Sequence, residues 1–167
     1  MEMSFAAMYR SLFDNPRPEP KVAPLYSDPL VIPEPEGMTD EQFALLQKMV
    51  NAPGYFLLWG PPGTGKTSVM IREFARTILE HTHENLLLLA YTNRAVDEIC
   101  EALDSIGGDI RSQYVRIGSQ HATSPHFTEQ LLTRKTAQAT TRAALLDTIA
   151  SHRIFVSTVS SFSQNEG

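Results

Sequence analysis

The chain has a single cysteine, Cys100, among its 167 residues. One cysteine cannot close an internal disulfide, so the disulfide-stapled scaffold of many small secreted proteins is excluded. Cys100 falls on an apolar helical stripe with Val96, Ile99 and Leu103. That position predicts a buried, unreactive thiol rather than a nucleophile.

Long apolar runs are also missing. No stretch reaches the roughly 18 consecutive apolar residues of a membrane-spanning helix, and no basic segment followed by an apolar one opens the chain. The sequence therefore predicts a cytoplasmic protein with no membrane partner. The five histidines have no cysteine partners, so no zinc site is expected.

Basic residues are outnumbered 14 to 19 by acidic ones, but the charge is uneven. Residues 111–167 contain six basic and three acidic residues, a net charge of +3. Arginine is suited to bidentate contact with phosphate, although a solvated helical face is the alternative interpretation for each cation. The six cations are Arg111, Arg116, Arg134, Lys135, Arg142 and Arg153.

Residues 1–37 form a separate, proline-rich extension. Seven of its prolines lie between Pro16 and Pro35, which excludes a helix or a central strand. The extension is therefore expected to be extended chain that either wraps the neighbouring domain or links to another one. Residues 38–167 are expected to form the domain itself.

The most informative segment is GPPGTGKT, from Gly60 to Thr67, which follows the apolar run Tyr55–Trp59. Its glycines let successive N–H groups turn inward around a phosphate, and the loop opens a helix whose first N–H groups are unpaired. In this pattern Lys66 contacts the β- and γ-phosphates and Thr67 offers its hydroxyl to Mg²⁺. A purely structural glycine turn is the alternative. The predicted nucleotide-binding residues are Gly60, Pro61, Pro62, Gly63, Thr64, Gly65, Lys66, Thr67 and Ser68, with Lys66 and Thr67 catalytic.

Apolar patterning predicts alternating helices and strands. Thr39 and Gln42 have the spacing of a capping box, which starts a helix that ends near Asn51. The run Leu86–Ala90 is continuous rather than alternating, which is typical of a strand covered on both faces. Further predicted elements are a helix after Thr67, a helix over 95–103 ended by Gly107-Gly108, strands at 114–117 and 154–159, and a helix near 140–150. Residues 119–152 would form a helical insertion. The expected fold is an α/β P-loop NTPase with a parallel sheet flanked by helices.

The phosphate loop alone does not separate AAA+ ATPases from helicases. An AAA+ module would place an apolar strand ending in Asp-Glu downstream of Lys66. The one downstream Asp-Glu pair, Asp97-Glu98, falls on an amphipathic helix instead, so this candidate fails.

Four segments together resemble superfamily I helicases, especially the branch of the nonsense-mediated-decay helicase and the Okazaki-fragment helicase-nuclease. The region around Gln42 is similar to that family's Q motif. Residues 87–99, LLLAYTNRAVDEI, are similar to its motif Ia, and residues 116–118 and 156–160 match its next two landmarks in order and spacing. The resemblance covers residues 38–161 and implies a RecA-like domain.

The resemblance implies a role for each matched residue. Gln42 would read adenine, since an amide can both accept from N6 and donate to N7, although its capping role is an alternative. Gln42→Glu separates the two roles because glutamate caps but cannot donate. Thr92 and Asn93 are likewise either helix-capping residues or contacts to a nucleic-acid strand. The implied contacts to single-stranded DNA or RNA are Thr92, Asn93, Arg94, Thr158 and Ser160.

The resemblance stops at Gly167, before the family's DExxQ segment and second RecA-like domain. The expected function is therefore the ATP-binding portion of an ATP-dependent helicase motor, with ATP and Mg²⁺ as cofactors and the remainder of the helicase as partner. The RecA-like domain would be truncated and, alone, inactive. The alternatives are a non-hydrolysing regulatory module that docks a partner through the proline-rich extension, and an AAA+-type ATPase fragment.

Overall fold

The computed structural model describes residues 28–52 and 66–163, and for Lys66 and Thr67 it describes the backbone only. The predicted strand before the phosphate loop and residues Gly60 to Gly65 lie outside these ranges.

The described residues alternate between helices and strands, as predicted. The helices are α1 (Asp40–Val50), α2 (Arg72–His81), α3 (Asn93–Asp104), α4 (Ile110–Gln113), α5 (Leu132–Lys135), α6 (Arg142–Ala150) and α7 (Val159–Ser163). The strands are β1 (Leu86–Ala90), β2 (Tyr114–Ile117) and β3 (Ile154–Thr158). A π-helical turn, Lys66–Ile71, precedes α2, and two 3₁₀ helices, Gln120–Ala122 and Pro125–Gln130, follow β2.

The three strands form a parallel sheet in the order β1-β3-β2. Leu86 and Tyr114 both pair with Ile154, and Ala90 pairs with Thr158. Because β2 and β3 are neighbours and parallel, the chain must cross over between them, and residues 118–153 are that connection. The predicted helix near 140–150 is part of it. The α/β fold with a parallel sheet is confirmed.

The main core lies between the sheet and α3. Val96, Ile99 and Leu103 of α3 pack with Tyr114 and Val156 of the sheet. This matches the helical stripe in the sequence, since residues three and four apart share one face of a helix.

Strand β1 differs from its prediction. Leu86, Leu88 and Ala90 pack against the core, but Leu87 and Leu89 remain 44% and 42% exposed. The continuous apolar run predicts cover on both faces, whereas the described residues cover only one face well. An unbroken apolar run shows that both faces of the strand are apolar, but it does not show which other segments cover each face.

The end of the proline-rich extension packs against its own domain. Ile32 is buried with Leu46 and Val50 of α1. Asn51 holds the segment in place, since its Oδ1 accepts from the Leu30 N–H at 2.6 Å and its Nδ2 donates to the Leu30 carbonyl at 3.1 Å. Of the two predicted behaviours, residues 28–37 therefore show the wrapping one.

Two charged side chains, buried Glu73 and half-buried Arg153, make internal contacts that the sequence pattern did not predict. Glu73 has a place on the polar face of α2 in the sequence pattern, yet it is buried with Arg72 and Arg76 as ion-pair partners. Arg153 donates to the carbonyls of Ile78, Leu79, Thr82 and Glu84, all at or just after the end of α2. It therefore satisfies the carbonyls that a helix C-terminus leaves unpaired.

No described helix is long and apolar enough to cross a membrane.

Candidate nucleotide and nucleic-acid interface

The predicted strand-contacting residues collect at one edge of the sheet. We call it the carboxyl edge, because β1, β2 and β3 all end there. Thr92 and Asn93 follow β1, Gly118 follows β2, and Ser160 follows β3. Open α/β sheets bind their ligands at this kind of edge. The structure therefore brings together the segments that resemble helicase motifs.

Thr92 is the N-cap of α3. Its backbone is extended, with φ −123° and ψ 152°, and its Oγ1 accepts from the Ala95 N–H at 3.2 Å. Thr92 itself is exposed, and Asn93 is half-buried. The Arg94 guanidinium is largely exposed and lies 3.4 Å from Glu98, a surface ion pair of little energetic weight. The first turn of α3 is thus formed, capped and accessible.

The segment after β3 is built differently. Thr158 is buried, and its Oγ1 accepts from the Ser161 N–H at 3.1 Å while lying 3.2 Å from Ser160 Oγ. Its hydroxyl is therefore engaged in starting α7. Ser160 is exposed, so its hydroxyl is accessible.

An exposed aromatic residue lies at the same edge and was not singled out from the sequence. Tyr91, between β1 and Thr92, is 92% exposed, and Val159 and Phe162 after β3 are also exposed apolar residues. A solvent-exposed tyrosine beside polar capping residues is a surface on which a nucleic-acid base can stack. The sequence signal for it was the lone aromatic between the apolar strand and Thr92.

In the segment Arg116-Ile117-Gly118, the arginine side chain makes contacts inside the protein that connect α3 to the residues after β2. Arg116 is fully buried, and its Nη2 lies 2.9 Å from Asp97 Oδ1 in α3. Its guanidinium also donates to Thr123 Oγ1 and, at 3.4 Å, to the Ala122 carbonyl. A Cβ at Gly118 would lie 3.3 Å from Arg116 Nη1, so a larger residue there would crowd the guanidinium.

Most of the other cations in the last third are also engaged within the protein. Arg111 pairs with Asp104, Lys135 donates to the Arg111 carbonyl at 2.7 Å, and Arg153 caps α2. Burial lowers the pKa of Lys135. Of the six cations in residues 111–167, Arg134 and Arg142 are the two whose charged groups have no partner among the described contacts. Arg116 is fully buried, which excludes direct contact with a bound phosphate, and Arg153 donates to four carbonyls at the end of α2; neither side chain is the solvated helical face of the alternative interpretation.

On the nucleotide side, the described residues show how the helix after the phosphate loop begins. Its first turn, Lys66–Ile71, is π-helical, a rare conformation that occurs frequently at functional sites. This turn packs directly against α3. Ser68 is exposed in the turn. The remaining predicted nucleotide contacts of the loop, Gly60, Pro61, Pro62, Gly63, Thr64 and Gly65, lie outside the described residues.

Gln42 takes part in a complete capping box. Its Oε1 accepts from the Thr39 N–H at 3.1 Å, and its N–H donates to Thr39 Oγ1 at 3.3 Å. The capping role is therefore confirmed, and adenine recognition stays a prediction.

Cys100 is buried in the core beside this interface, as predicted. Burial raises its pKa to about 12, against smaller opposing effects of Arg116. A thiol that stays protonated is a poor nucleophile. No group of three or more metal-ligating side chains occurs in the described parts of the chain.

Comparison with known proteins assigns the family. The protein-family profile described as an AAA domain matches residues 37–165. Three curated helicase/nucleases of DNA replication are similar to the chain: that of Arabidopsis thaliana (JHS1) is 31% identical over 94 residues, that of Schizosaccharomyces pombe (dna2) 35% over 99 and that of Saccharomyces cerevisiae (DNA2) 33% over 119. These matches cover 56%, 59% and 70% of the chain.

The chain spans only 7% of the length of each of these relatives. Each relative's name describes an ATP-dependent helicase/nuclease, which accords with the helicase resemblance of the motifs. The chain therefore belongs to the AAA-domain family of P-loop proteins and, within it, to the superfamily I helicases.

Proposed function

We propose that the chain is the ATP-binding portion of a helicase motor that couples ATP hydrolysis to movement along single-stranded nucleic acid. In this proposal Lys66 and Thr67 engage the phosphates and Mg²⁺, and Gln42 contacts adenine. The carboxyl edge binds the strand through the first turn of α3 and through Ser160.

The observation that carries the proposal is the position of α3. Its N-terminus lies at the carboxyl edge, capped by Thr92, and its side packs against the π-helical turn that begins at Lys66. If nucleotide binding shifted this turn, α3 would therefore move with it, and α3 carries the proposed strand-binding residues. Such coupling requires a physical element in contact with both sites, and α3 is one.

Electrostatics at the edge favour a strand held through backbone N–H groups rather than through a basic patch. Arg116 and Arg153 contact other parts of the protein, so the predicted strand-contacting set contains a single exposed arginine, Arg94, and not a basic patch. The first turn of α3 instead offers unpaired N–H groups and the positive end of a helix dipole, which is a common way to bind phosphate. We therefore expect a shallow salt dependence for strand binding, since few counterions are released when few cations contact phosphate.

The two alternatives are less well supported. A docking module would leave the proline-rich extension available to a partner, but the described part of it, residues 28–37, packs on α1. An AAA+-type module would need an Asp-Glu pair at the end of a strand, but Asp97 and Glu98 lie within α3.

The test is to measure whether nucleotide binding changes the affinity of the chain for a single strand. Binding of a labelled single-stranded oligonucleotide, in DNA and RNA forms, is measured with and without a nonhydrolysable ATP analogue and Mg²⁺ over a range of salt concentrations. We expect the analogue to change the oligonucleotide affinity, and Lys66→Ala to abolish that change because the lysine no longer contacts the phosphates. Equal affinity with and without the analogue in the wild-type chain would contradict the proposal.

A further inference from the structure

The ion pair between Asp97 and Arg116 has an unusual position and an unusual geometry. Arg116 is fully buried and Asp97 is only 20% exposed, yet neither Asp97 Oδ1 nor Arg116 Nε completes a hydrogen bond with any described residue. A buried pair with incomplete hydrogen bonding contributes little to stability, because desolvation offsets the attraction between the charges. A contribution to stability therefore does not explain why this ion pair is present.

The location of the pair supplies that explanation. Asp97 lies just over one turn after the Thr92 cap, and Arg116 is the penultimate residue of β2. The guanidinium also holds Thr123 and the Ala122 carbonyl, so it connects α3 to the chain that leaves β2. Thr123 in turn donates to the Ser119 carbonyl at 2.8 Å, which closes the turn over residues 119–123.

We propose that Asp97 and Arg116 are positioning residues of the single-strand site, fixing the first turn of α3 against the 119–123 turn at the carboxyl edge. The role of this pair in strand binding rests on the proposed function. Its role in holding the two segments together does not. Arg116 thus acts on a bound strand through α3 and not by contact with phosphate.

The same helix offers a matched control. At its other end Asp104 pairs with Arg111 and accepts from the Tyr114 hydroxyl at 2.9 Å, and its side chain is 19% exposed. Asp97 and Asp104 are two turns apart on one helix, equally exposed, and each pairs with an arginine of the α4–β2 segment. Only Asp97 is near the carboxyl edge.

The experiment compares Asp97→Asn with Asp104→Asn in the full chain. Oligodeoxythymidine binding, binding of the nonhydrolysable ATP analogue and amide hydrogen exchange are measured for each. We expect Asp97→Asn to weaken oligonucleotide binding roughly five- to tenfold, on the scale of one or two hydrogen bonds, and to change analogue binding less than about twofold. Exchange should accelerate at residues 93–96 and 119–123 together. Asp104→Asn should leave both segments and the oligonucleotide affinity as in the wild-type chain.

Asp97→Asn leaves a buried guanidinium without its counter-charge and can prevent folding, so Asp97→Asn/Arg116→Gln is measured alongside it. This double variant removes both charges and should show the same loss of oligonucleotide binding and the same faster exchange. Equal effects of the two aspartate substitutions, or a double variant that binds and exchanges like the wild-type chain, would overturn the positioning role. If the wild-type chain binds no oligonucleotide, the proposed function fails, and the exchange comparison still decides whether the pair holds the two segments together.

Discussion

Individual side chains at the carboxyl edge divide into those that hold the protein together and those that face solvent. Arg116 and Thr158 are buried, whereas Tyr91, Thr92 and Ser160 are exposed. A ligand can reach only the second group directly. Substitutions in the two groups should therefore have different signatures: the buried residues affect stability, and the exposed ones affect binding.

Tyr91 gives the sharpest test of the exposed group. Tyr91→Ala should weaken single-stranded oligonucleotide binding, since stacking of a base on an aromatic ring contributes about 1–3 kcal/mol, or roughly 5- to 150-fold. Tyr91→Phe keeps the ring and should bind like the wild-type chain. Fluorescence anisotropy with a labelled oligonucleotide measures both.

A suitable control for Tyr91→Ala is Leu146→Ala in α6, because Leu146 is also an exposed apolar residue. It should leave binding unchanged. Unaltered affinity in Tyr91→Ala, or an equal loss in Leu146→Ala, would show that Tyr91 does not contact the strand.

The buried Cys100 thiol predicts a loss of stability in alkaline solution. Its folded pKa is about 12, above the ordinary value of 9.0, so from pH 9 upward the unfolded thiol ionises while the folded one stays protonated. The unfolded state then binds fewer protons, and the free energy of unfolding falls by about 1.4 kcal/mol per pH unit for one such group. Below pH 9 this group contributes no pH dependence.

Cys100→Ala isolates that contribution. Burial raises the pKa of Tyr114 and lowers that of Lys135, so these two groups act with opposite sign in the same range, but they are present in both proteins. Urea unfolding between pH 9 and pH 11 should therefore give a shallower decline for Cys100→Ala than for the wild-type chain. Parallel declines would contradict the assignment.

At the scale of secondary-structure elements, the N-cap of α3 has an observed capping role and a proposed role in binding the nucleic-acid strand. Thr92 Oγ1 accepts from Ala95, and Thr141 Oγ1 caps α6 in the same way by accepting from Ala144 at 3.1 Å. Loss of either cap should cost about 1 kcal/mol of stability. Of these two variants, only Thr92→Ala should also weaken oligonucleotide binding, because α3 begins directly after β1 at the carboxyl edge, whereas no strand directly precedes α6.

The comparison of these two threonines separates the roles. Thermal unfolding should shift by similar amounts in Thr92→Ala and Thr141→Ala, and Thr92→Ser should restore both stability and binding. If Thr92→Ala loses stability but binds the oligonucleotide normally, Thr92 is a cap only.

The elements were largely predictable from the sequence because their signals are local. The Thr39 capping box, the apolar run of β1 and the stripe of α3 all depend on neighbours within a few residues. The burial of Arg116 and the capping of α2 by Arg153 depend on contacts between distant segments, such as the 74 residues from Leu79 to Arg153. Charge patterns within one segment do not report such contacts, so the sequence offered only phosphate contact or a solvated helical face for these two arginines.

The candidate site was predictable to the same extent. The motif resemblance brought Thr92, Asn93 and Ser160 to one edge, and the parallel sheet explains why they meet there. It did not separate the accessible Ser160 from the buried Thr158, because that difference depends on where β3 ends: Thr158 is still a buried strand residue whose hydroxyl accepts from the Ser161 N–H.

At the scale of the whole molecule, the chain contains the segments proposed to bind phosphate and a nucleic-acid strand, but no strand of its described residues ends in Asp-Glu. We expect the 167-residue chain to bind nucleotide and to show no ATP hydrolysis above background. The family's DExxQ carboxylates, which hold Mg²⁺, and the transition-state arginines of a second domain are not among these 167 residues, and such groups are worth several orders of magnitude in rate.

Two assays test this prediction: phosphate release measures ATP hydrolysis, and separation of a labelled duplex measures unwinding. Lys66→Ala serves as the reference for background hydrolysis, since it removes the phosphate contact of the loop. Hydrolysis well above that reference, or strand separation by the chain alone, would show that it holds catalytic groups beyond those assigned.

The strand order has a consequence for biosynthesis. Strand β3 lies at the centre of the described sheet but is the last of the three in sequence, and β1 and β2 each pair only with it among these strands. A ribosome therefore delivers Leu86–Ala90 well before Ile154–Thr158, and at roughly 5–20 residues per second this apolar strand waits for several seconds without its partner. An unpaired run of four leucines is a segment that aggregates readily. Nascent chains stalled before residue 154 should therefore depend on chaperones far more than the completed domain does.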